Sequence, residues 1–313
     1  MVTKYKNMIK VLVATDKPFA KVASDQIRAI FSEAGYHCTF FEKYPDQDSL
    51  IQAVADAEAI IIRSDIVDQN VIESAKNLKI VVRAGAGYDN VDLKAASDNN
   101  VVVMNTPGQN SNAVAELAIG MMLYQVRNHF NGSSGTELFG KTIGIHAYGN
   151  VGKHVARIAK GFGMTVYAFD PFVSHSAIEN DGVIAVDSVE ELYSKCQFVS
   201  LHIPANEKTK KSINFELLSL MPANAMLVNT ARKEVICEES LKRVFNERKD
   251  FYYVSDVAPG NLSELDDFSS RIFCTPKKMG AQTAEANINA GIAAANQIIG
   301  FFENNDLTFK VNK

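Results

Sequence analysis

The 313-residue chain has no apolar run approaching the roughly 20 residues that a membrane-spanning helix requires, which argues against an integral membrane protein. It has no C-x-x-C pair. Its four cysteines, Cys38, Cys196, Cys237 and Cys274, are scattered. Three of them (Cys38, Cys196 and Cys274) lie in or beside apolar runs, so buried free thiols are expected. No histidine pair has metal-ligand spacing and no Cys/His cluster suggests zinc, so no metal site is read. Charge of one sign is not in large excess: a net −4 argues against nucleic acid or an anionic membrane surface as the main partner. Met1 to Lys10 is polar and precedes an apolar run only a strand long, unlike a secretory signal. Internal repeats and low-complexity tracts are missing too. The expectation is a reduced, cytoplasmic protein.

What is present is ordinary for a globular chain: 47% apolar and 22% charged residues, with length enough for two domains. Short apolar runs alternate with helical patterns. Strands are expected at Ile9 to Ala14, Cys38 to Phe41, Ala59 to Arg63, Ile80 to Arg83 and Val101 to Met104. Helices are expected near Phe19 to Ala34, Asp48 to Ala55, Gln69 to Lys76 and Leu93 to Ser97. Such alternation predicts an α/β fold, a parallel sheet with helices on both faces. A long helical pattern, Asn112 to Asn128, leads into Asn131 to Gly135, a Gly/Ser segment suited to a hinge or a loop tip. A second α/β run begins at Lys141, with later strands at Val183 to Val186, Phe198 to Ile203, Ala225 to Asn229, Phe251 to Asp256 and Ile272 to Cys274. The closing pattern, Ala284 to Phe302, is long and apolar at helical spacing, as if the chain returned to its first domain.

The most specific stretch lies in the second run. Thr142 to Ala147 reads as a strand, Ala147-Tyr148-Gly149-Asn150-Val151-Gly152 as a glycine turn, Lys153 to Phe162 as an amphipathic helix, and Val166 to Asp170 as a second strand ending in an acid. Gly149 lets a backbone approach a pyrophosphate, Gly152 lets the helix pack on the strand, and the helix N-terminus favours phosphate. Asp170 stands where an acid bonds the adenosine ribose hydroxyls and repels a 2′-phosphate, so NAD is preferred over NADP. The first glycine of the usual pattern is Ala147 here.

Polar groups also recur just after strand ends, the edge where open α/β sheets hold ligands. They are Arg63-Ser64, Arg83 to Gly87, Asn105 to Asn110, His202, Thr230-Ala231-Arg232, Asp256 and Lys277-Lys278. Two arginines and small residues in one half, opposite a nucleotide fold in the other, point to a small anionic substrate between domains.

These segments resemble the D-2-hydroxyacid dehydrogenase family and, within it, the phosphoglycerate dehydrogenases. The resemblance rests on Arg83 to Asp92, Val103 to Pro107, Gly135 to Leu138, Phe169-Asp170-Pro171, Val228 to Arg232 and Thr275-Pro276. It implies two doubly wound parallel-sheet domains. A Rossmann-type NAD-binding domain (112–288) is inserted into a flavodoxin-like substrate domain (1–111 and 289–313). It also implies a homodimer through the nucleotide domains. By the same resemblance Arg232 holds the substrate's carboxylate and carbonyl oxygen, for which its fixed fork is suited. Arg63, Ser64, Arg83 and Asn110 surround the substrate and its phosphate, and Gly85 and Gly87 cradle its carboxylate. On the cofactor side stand Gly149, Asn150, Val151, Asp170, His202, Ile203, Pro204, Thr230, Ala231, Arg232, Gly280 and Ala281, with Asp256 on the nicotinamide amide.

Two departures matter. Where the family has a histidine after Thr-Pro, this chain has Thr275-Pro276-Lys277-Lys278-Met279-Gly280, one residue longer. Counting forward from Pro276 selects Lys277; counting back from Gly280 selects Lys278, which is preferred. The glutamate that pairs with the histidine is replaced by Asn261, with Glu264 nearby but out of register. The losses are consistent with each other. A lysine begins at a pKa of about 10.4 and needs lowering to act as a base, which a paired carboxylate would oppose and burial would favour. Some phosphoglycerate dehydrogenases resemble this arrangement. His202 is read as lining the nucleotide pocket, His146 as lying beneath the glycine turn and His154 as a helix-surface residue.

The reading is NAD-dependent oxidation of D-3-phosphoglycerate to 3-phosphohydroxypyruvate, the entry to serine biosynthesis. The runner-up is a glyoxylate/hydroxypyruvate reductase, and the rival of another class is a non-catalytic NAD-sensing scaffold. The loop Asn131 to Gly135 is shorter than the family's basic, tryptophan-containing stretch. With its end at Lys313, feedback through a C-terminal regulatory domain is not expected.

Overall fold

The computed structural model describes residues 8–313, which form two compact units, one of residues up to 110 together with 282–313, the other of 111–281. The first unit alternates β1 (Lys10–Thr15), α1 (Lys21–Glu33), β2 (His37–Glu42), α2 (Gln47–Ala53), β3 (Ala59–Ile62), α3 (Gln69–Ser74), β4 (Ile80–Arg83), α4 (Leu93–Asp98) and β5 (Val102–Asn105). The strands pair in parallel in the order β2-β1-β3-β4-β5, the flavodoxin-like arrangement. Both faces are covered, so β3 can be Ala-Ile-Ile-Ile with every residue buried. Helix starts are set locally: the carboxylates of Asp46, Asp68 and Asp92 accept from the backbone N–H three residues on, in Ser49, Val71 and Ala95.

The second unit holds α5 (Ser111–Val126), β6 (Thr142–His146), α6 (Asn150–Gly161), β7 (Thr165–Phe169), α7 (His175–Glu179), β8 (Ile184–Ala185), α8 (Val189–Lys195), β9 (Phe198–Leu201), α9 (Phe215–Ser219), β10 (Met226–Asn229), α10 (Glu238–Glu247), β11 (Tyr252–Ser255) and β12 (Ile272–Cys274). Its parallel sheet runs β12-β11-β10-β9-β6-β7-β8, the Rossmann order with one strand added. The strand order reverses between β6 and β9, so the crevice for a ligand lies at their carboxyl ends. One apolar core lies on each face of this sheet. Val199, Leu201, Leu227 and Tyr253 point to one, Phe198, Met226, Val228 and Val254 to the other. The chain then crosses back into the first unit as α11 (Ala284–Asn304), whose Ala290, Ala294, Ala295 and Ile298 join the core formed by β1, β3 and α1.

Several sequence expectations shift. The return to the first unit falls at 281/282 rather than 288/289, because α11 is one continuous helix and packs with the first unit from its first turn. Helix α6 starts at Asn150, not Lys153, so Asn150 and Val151 are its opening residues. The Gly/Ser segment is a tied loop tip and not a hinge. Asn128 Nδ2 donates to Ser133 Oγ and the Ser134 carbonyl (both 2.9 Å), and Thr136 N donates to the Val126 carbonyl at 2.8 Å. Helices α7 to α10 had no counterpart in the periodicity. Three of them have five to seven residues, too few for a repeat, and their signal lies in the caps Ser174, Ser188 and Asn214. Cys196 is buried, Cys38 and Cys274 only half-buried. Burial pushes the Cys196 thiol up to about 12 and the other two up to about 11, so none is a ready nucleophile. Among the described residues no helix is long and apolar enough to cross a membrane.

Candidate active site

The glycine turn is built as its spacing implies, with one irregularity. A Cβ on Gly152 would lie 2.4 Å from the Ala147 carbonyl oxygen and 2.8 Å from Ile145 Cγ2, so only glycine lets α6 sit this close to β6. A Cβ on Gly149 would meet nothing within 4 Å, leaving the turn open outward. Gly149 caps α6 without a side-chain bond to the first N–H groups, which therefore remain suited to an anion. Ala147 adopts φ +81°, a conformation that costs an L-residue energy and that the family's glycine takes freely. Ala147→Gly is therefore expected to raise stability by about 1 kcal/mol and Gly152→Ala to lower it by about 1–3 kcal/mol, read from urea unfolding. The opposite ranking would contradict this backbone.

Asp170 follows β7. Its Oδ2 accepts from Tyr148 N at 2.8 Å and its Oδ1 from Phe172 N at 2.9 Å, so the carboxylate is oriented by the turn on one side and its own strand end on the other. Tyr148, not singled out in the sequence, is buried and reaches Asp181 Oδ2 through its hydroxyl at 3.1 Å. Its signal was faint: a tyrosine where a purely apolar side chain would pack equally well.

At the carboxyl ends of β9 and β10, three buried polar atoms have no partner among the described residues: Ser200 Oγ, His202 Nε2 and Thr230 Oγ1. Orphaned atoms of this kind are uncommon and mark places where water or a ligand completes the bonding. With the open turn and Asp170, they fit a dinucleotide laid across the switch point. Ile203 instead points into the apolar core, and Pro204 is exposed. His146 is buried at the foot of the turn, its Nδ1 3.3 Å from the Tyr193 hydroxyl. Burial pushes His146 down to about 4, against an opposing pull from Asp170. Burial together with His146 pushes His202 down to about 3.

The sign of the pH dependence follows. Both imidazoles titrate near pH 6.5 when unfolded (roughly) and resist protonation when folded. The unfolded state binds more protons as pH falls, so stability is full above about pH 6.5 and declines from there towards the folded values of about 4 and 3. The loss for His146 is of the order of 3 kcal/mol. His146→Gln is expected to flatten the urea-midpoint profile between about pH 6.5 and about pH 5. A profile as steep as wild type would refute this.

Arg232 follows β10. The turn that carries it is held by buried Asn229, whose Oδ1 accepts from Ala231 N at 2.9 Å and whose Nδ2 donates to the Arg232 carbonyl at 3.1 Å. Asp256, 1% exposed, follows β11 and accepts three hydrogen bonds from residues 275–280. Lys277 and Lys278 lie on that segment and are both exposed, not buried as the lysine reading expects. Glu264 does not replace the missing glutamate: it pairs with Lys242 on α10 at 2.7 Å. Asn261 donates to the Glu238 carbonyl at 3.3 Å, and its Oδ1 is buried without a partner among the described residues.

In the first unit the residues after β3 and β4 meet. The Arg63 fork is largely taken up by the protein: Nη1 donates to the Lys17 and Pro18 carbonyls at 2.8 and 3.2 Å, Nη2 donates to Asn287 Oδ1, and the guanidinium stacks over Phe19. Little of the Arg63 fork is left for a phosphate. Buried Asp65, also missed, organises the same loop by accepting from Asp16 N, Arg63 N and the Tyr44 hydroxyl. Arg83 Nε donates to the Arg63 carbonyl at 2.9 Å, and its guanidinium lies against Gly85, where a Cβ would come within 1.6 Å of Nη1. Gly85 has φ +149° and its N–H already donates to the Arg83 carbonyl at 2.8 Å, so it is not an open member of an anion cradle. Ser64 is exposed, and Gly87 and Asn110 are half-buried.

Residues 115–275 match the D-isomer specific 2-hydroxyacid dehydrogenase, NAD binding domain. An NAD+-bound 3-phosphoglycerate dehydrogenase of Entamoeba histolytica superposes with a TM-score of 0.87 at 46% identity, covering 98% of this chain and 99% of that one. The D-3-phosphoglycerate dehydrogenase of Methanocaldococcus jannaschii is 35% identical over 80% of this chain and 51% of its own length. The hydroxypyruvate reductase of Thermotoga maritima is 34% identical over 81% of this chain and 87% of its own. The chain thus spans about half the length of the curated phosphoglycerate dehydrogenase it matches in M. jannaschii. With a Rossmann-type sheet, an open glycine turn and this match over 115–275, the chain belongs to the D-isomer specific 2-hydroxyacid dehydrogenase family and carries its NAD-binding domain.

Proposed function

We propose that this chain is a cytoplasmic, homodimeric NAD-dependent dehydrogenase that oxidises D-3-phosphoglycerate to 3-phosphohydroxypyruvate, the first step of serine biosynthesis, with a lysine as acid/base. The observation that carries the reading is that Arg232 and the Lys277–Lys278 turn follow strands of the same sheet edge as the glycine turn and Asp170. The full-length likeness to the E. histolytica enzyme supports the phosphorylated substrate. When bound, NAD supplies the hydride acceptor. Asp170 orients the ribose, the α6 N-terminus holds the pyrophosphate, and His202 and Thr230 offer their unpartnered atoms to the cofactor. Arg232 binds the substrate carboxylate and polarises the oxygen on C2. Lys278, or Lys277, takes the hydroxyl proton as C2 loses hydride. Arg83, Ser64, Asn110 and Gly87 are assigned to the substrate's anionic groups.

A second reading, hydroxypyruvate or glyoxylate reduction, is favoured by one observation: the T. maritima relative matches over 87% of its length. Both are tested by following NADH formation from D-3-phosphoglycerate and from D-glycerate, and NADH consumption by hydroxypyruvate and glyoxylate. Preference for the phosphorylated acid supports the first reading, and turnover of only the unphosphorylated acids supports the second. NAD binding with no turnover would leave a scaffold. Asp170→Ala is expected to weaken NADH binding about 10-fold or more in a fluorescence titration, because it removes charge-assisted hydrogen bonds; unchanged affinity would contradict the ribose assignment.

A further inference from the structure

We propose that Asp256 is a positioning residue for proton transfer: it clamps both ends of the turn that carries Lys277 and Lys278. This rests on the lysine reading above. Asp256 is 1% exposed and its backbone N–H is held by the Asn229 carbonyl at 2.9 Å. Its Oδ1 accepts from Thr275 Oγ1 and from Met279 N, both at 2.8 Å, and its Oδ2 accepts from Gly280 N at 2.7 Å. The donors flank the lysines on either side. Thr275 and Gly280 are buried, whereas residues 276–279 are exposed. The lysines therefore project into solvent from a short arch whose two feet stand on one carboxylate.

The chemistry explains why this matters for a lysine. An ammonium on a four-carbon stem has no fixed direction of its own, unlike an imidazole held by a paired acid. What fixes its reach is the root of the stem, and the root is fixed by Asp256. The bonds are charge-assisted and withdrawn from water, which makes them strong. Oδ1 already accepts two donors, and Oδ2 accepts one. A contact from Asp256 to the cofactor's amide is left at most the remaining acceptor site on Oδ2, so clamping is its larger role. The extra residue in this turn is consistent with that: a longer arch needs a tie at each foot.

Two variants together separate the roles. Thr275→Val keeps the Asp256 carboxylate and removes one of its donors, along with that hydroxyl's 2.9 Å contact to the Lys277 carbonyl; Asp256→Asn keeps its shape and that contact and removes its charge. If Asp256 clamps the turn, both lower kcat at saturating NAD, Asp256→Asn by about 10²-fold, as a displacement of about 1 Å can do. The pH dependence of kcat moves with them, and the Kd for NADH changes by less than about 3-fold, a small difference in binding energy. If Asp256 acts mainly on the cofactor, Thr275→Val is silent, Asp256→Asn weakens NADH binding, and kcat at saturation and its pH profile stay as in wild type. That outcome overturns the clamp. If Lys277→Ala and Lys278→Ala both keep wild-type kcat and pH profile, the lysine reading falls and the clamp's catalytic meaning with it. That result is distinct from a failure of the clamp alone.

Discussion

Arg232→Ala should lower kcat/KM for D-3-phosphoglycerate by about 10²–10³-fold, the range seen when a donor aimed at a developing oxyanion is removed. NADH affinity should change far less. The two effects separate because Arg232 is assigned to the reacting carboxylate and oxygen, whereas the pyrophosphate and ribose rest on the α6 N-terminus and Asp170. The fold should tolerate the change, because the turn is held by Asn229 through the Ala231 and Arg232 backbone atoms. Lysine at this position should recover little, because a point charge does not reproduce the two-pronged geometry. Initial rates and an NADH titration on the same preparation check this, and near-normal turnover would remove Arg232 from the site.

The second large effect is expected at the lysine turn. Removing the general acid/base should cost about 10²–10⁴-fold in kcat, and the loss should fall on one lysine only. Lys278→Ala is expected to be the inactive variant and Lys277→Ala the mild one, because register counted from the Gly280 foot of the arch favours Lys278. Rates measured from about pH 7 to about pH 10 test the same assignment. The wild-type rate should climb with pH as the base loses its proton, and the inactive variant should lose that climb. Equal losses in both variants would mean that the turn's total charge, rather than one base, is what counts.

Much of the scaffold is legible in the sequence. The twelve strands among the described residues follow from apolar runs bounded by turn residues, a signal that does not depend on distant partners. Gly152 and the open Gly149 were readable for the same reason, since a βα turn of this spacing admits few backbones. Helices α7 to α9 escaped because their signal is a single capping side chain rather than a period. The boundary at 281/282 escaped because a helix at a domain return looks the same on either side of the crossing.

The site divides along the same line. Residue type and position along the chain were determined by the sequence: an acid ending the second strand, an arginine after β10, lysines where a histidine is usual. Only the tertiary structure decided how each group's bonding capacity is used. The Arg63 fork meets Asn287, 224 residues away, and so is largely filled from within; Asp256 is drawn to a turn about 20 residues further on; Glu264 is drawn to Lys242 and the two lysines are left exposed. The reason is physical. Periodicity, caps and turns are settled by neighbours along the chain. Hydrogen-bond saturation and burial are settled by whatever the fold brings alongside, and no local pattern encodes that.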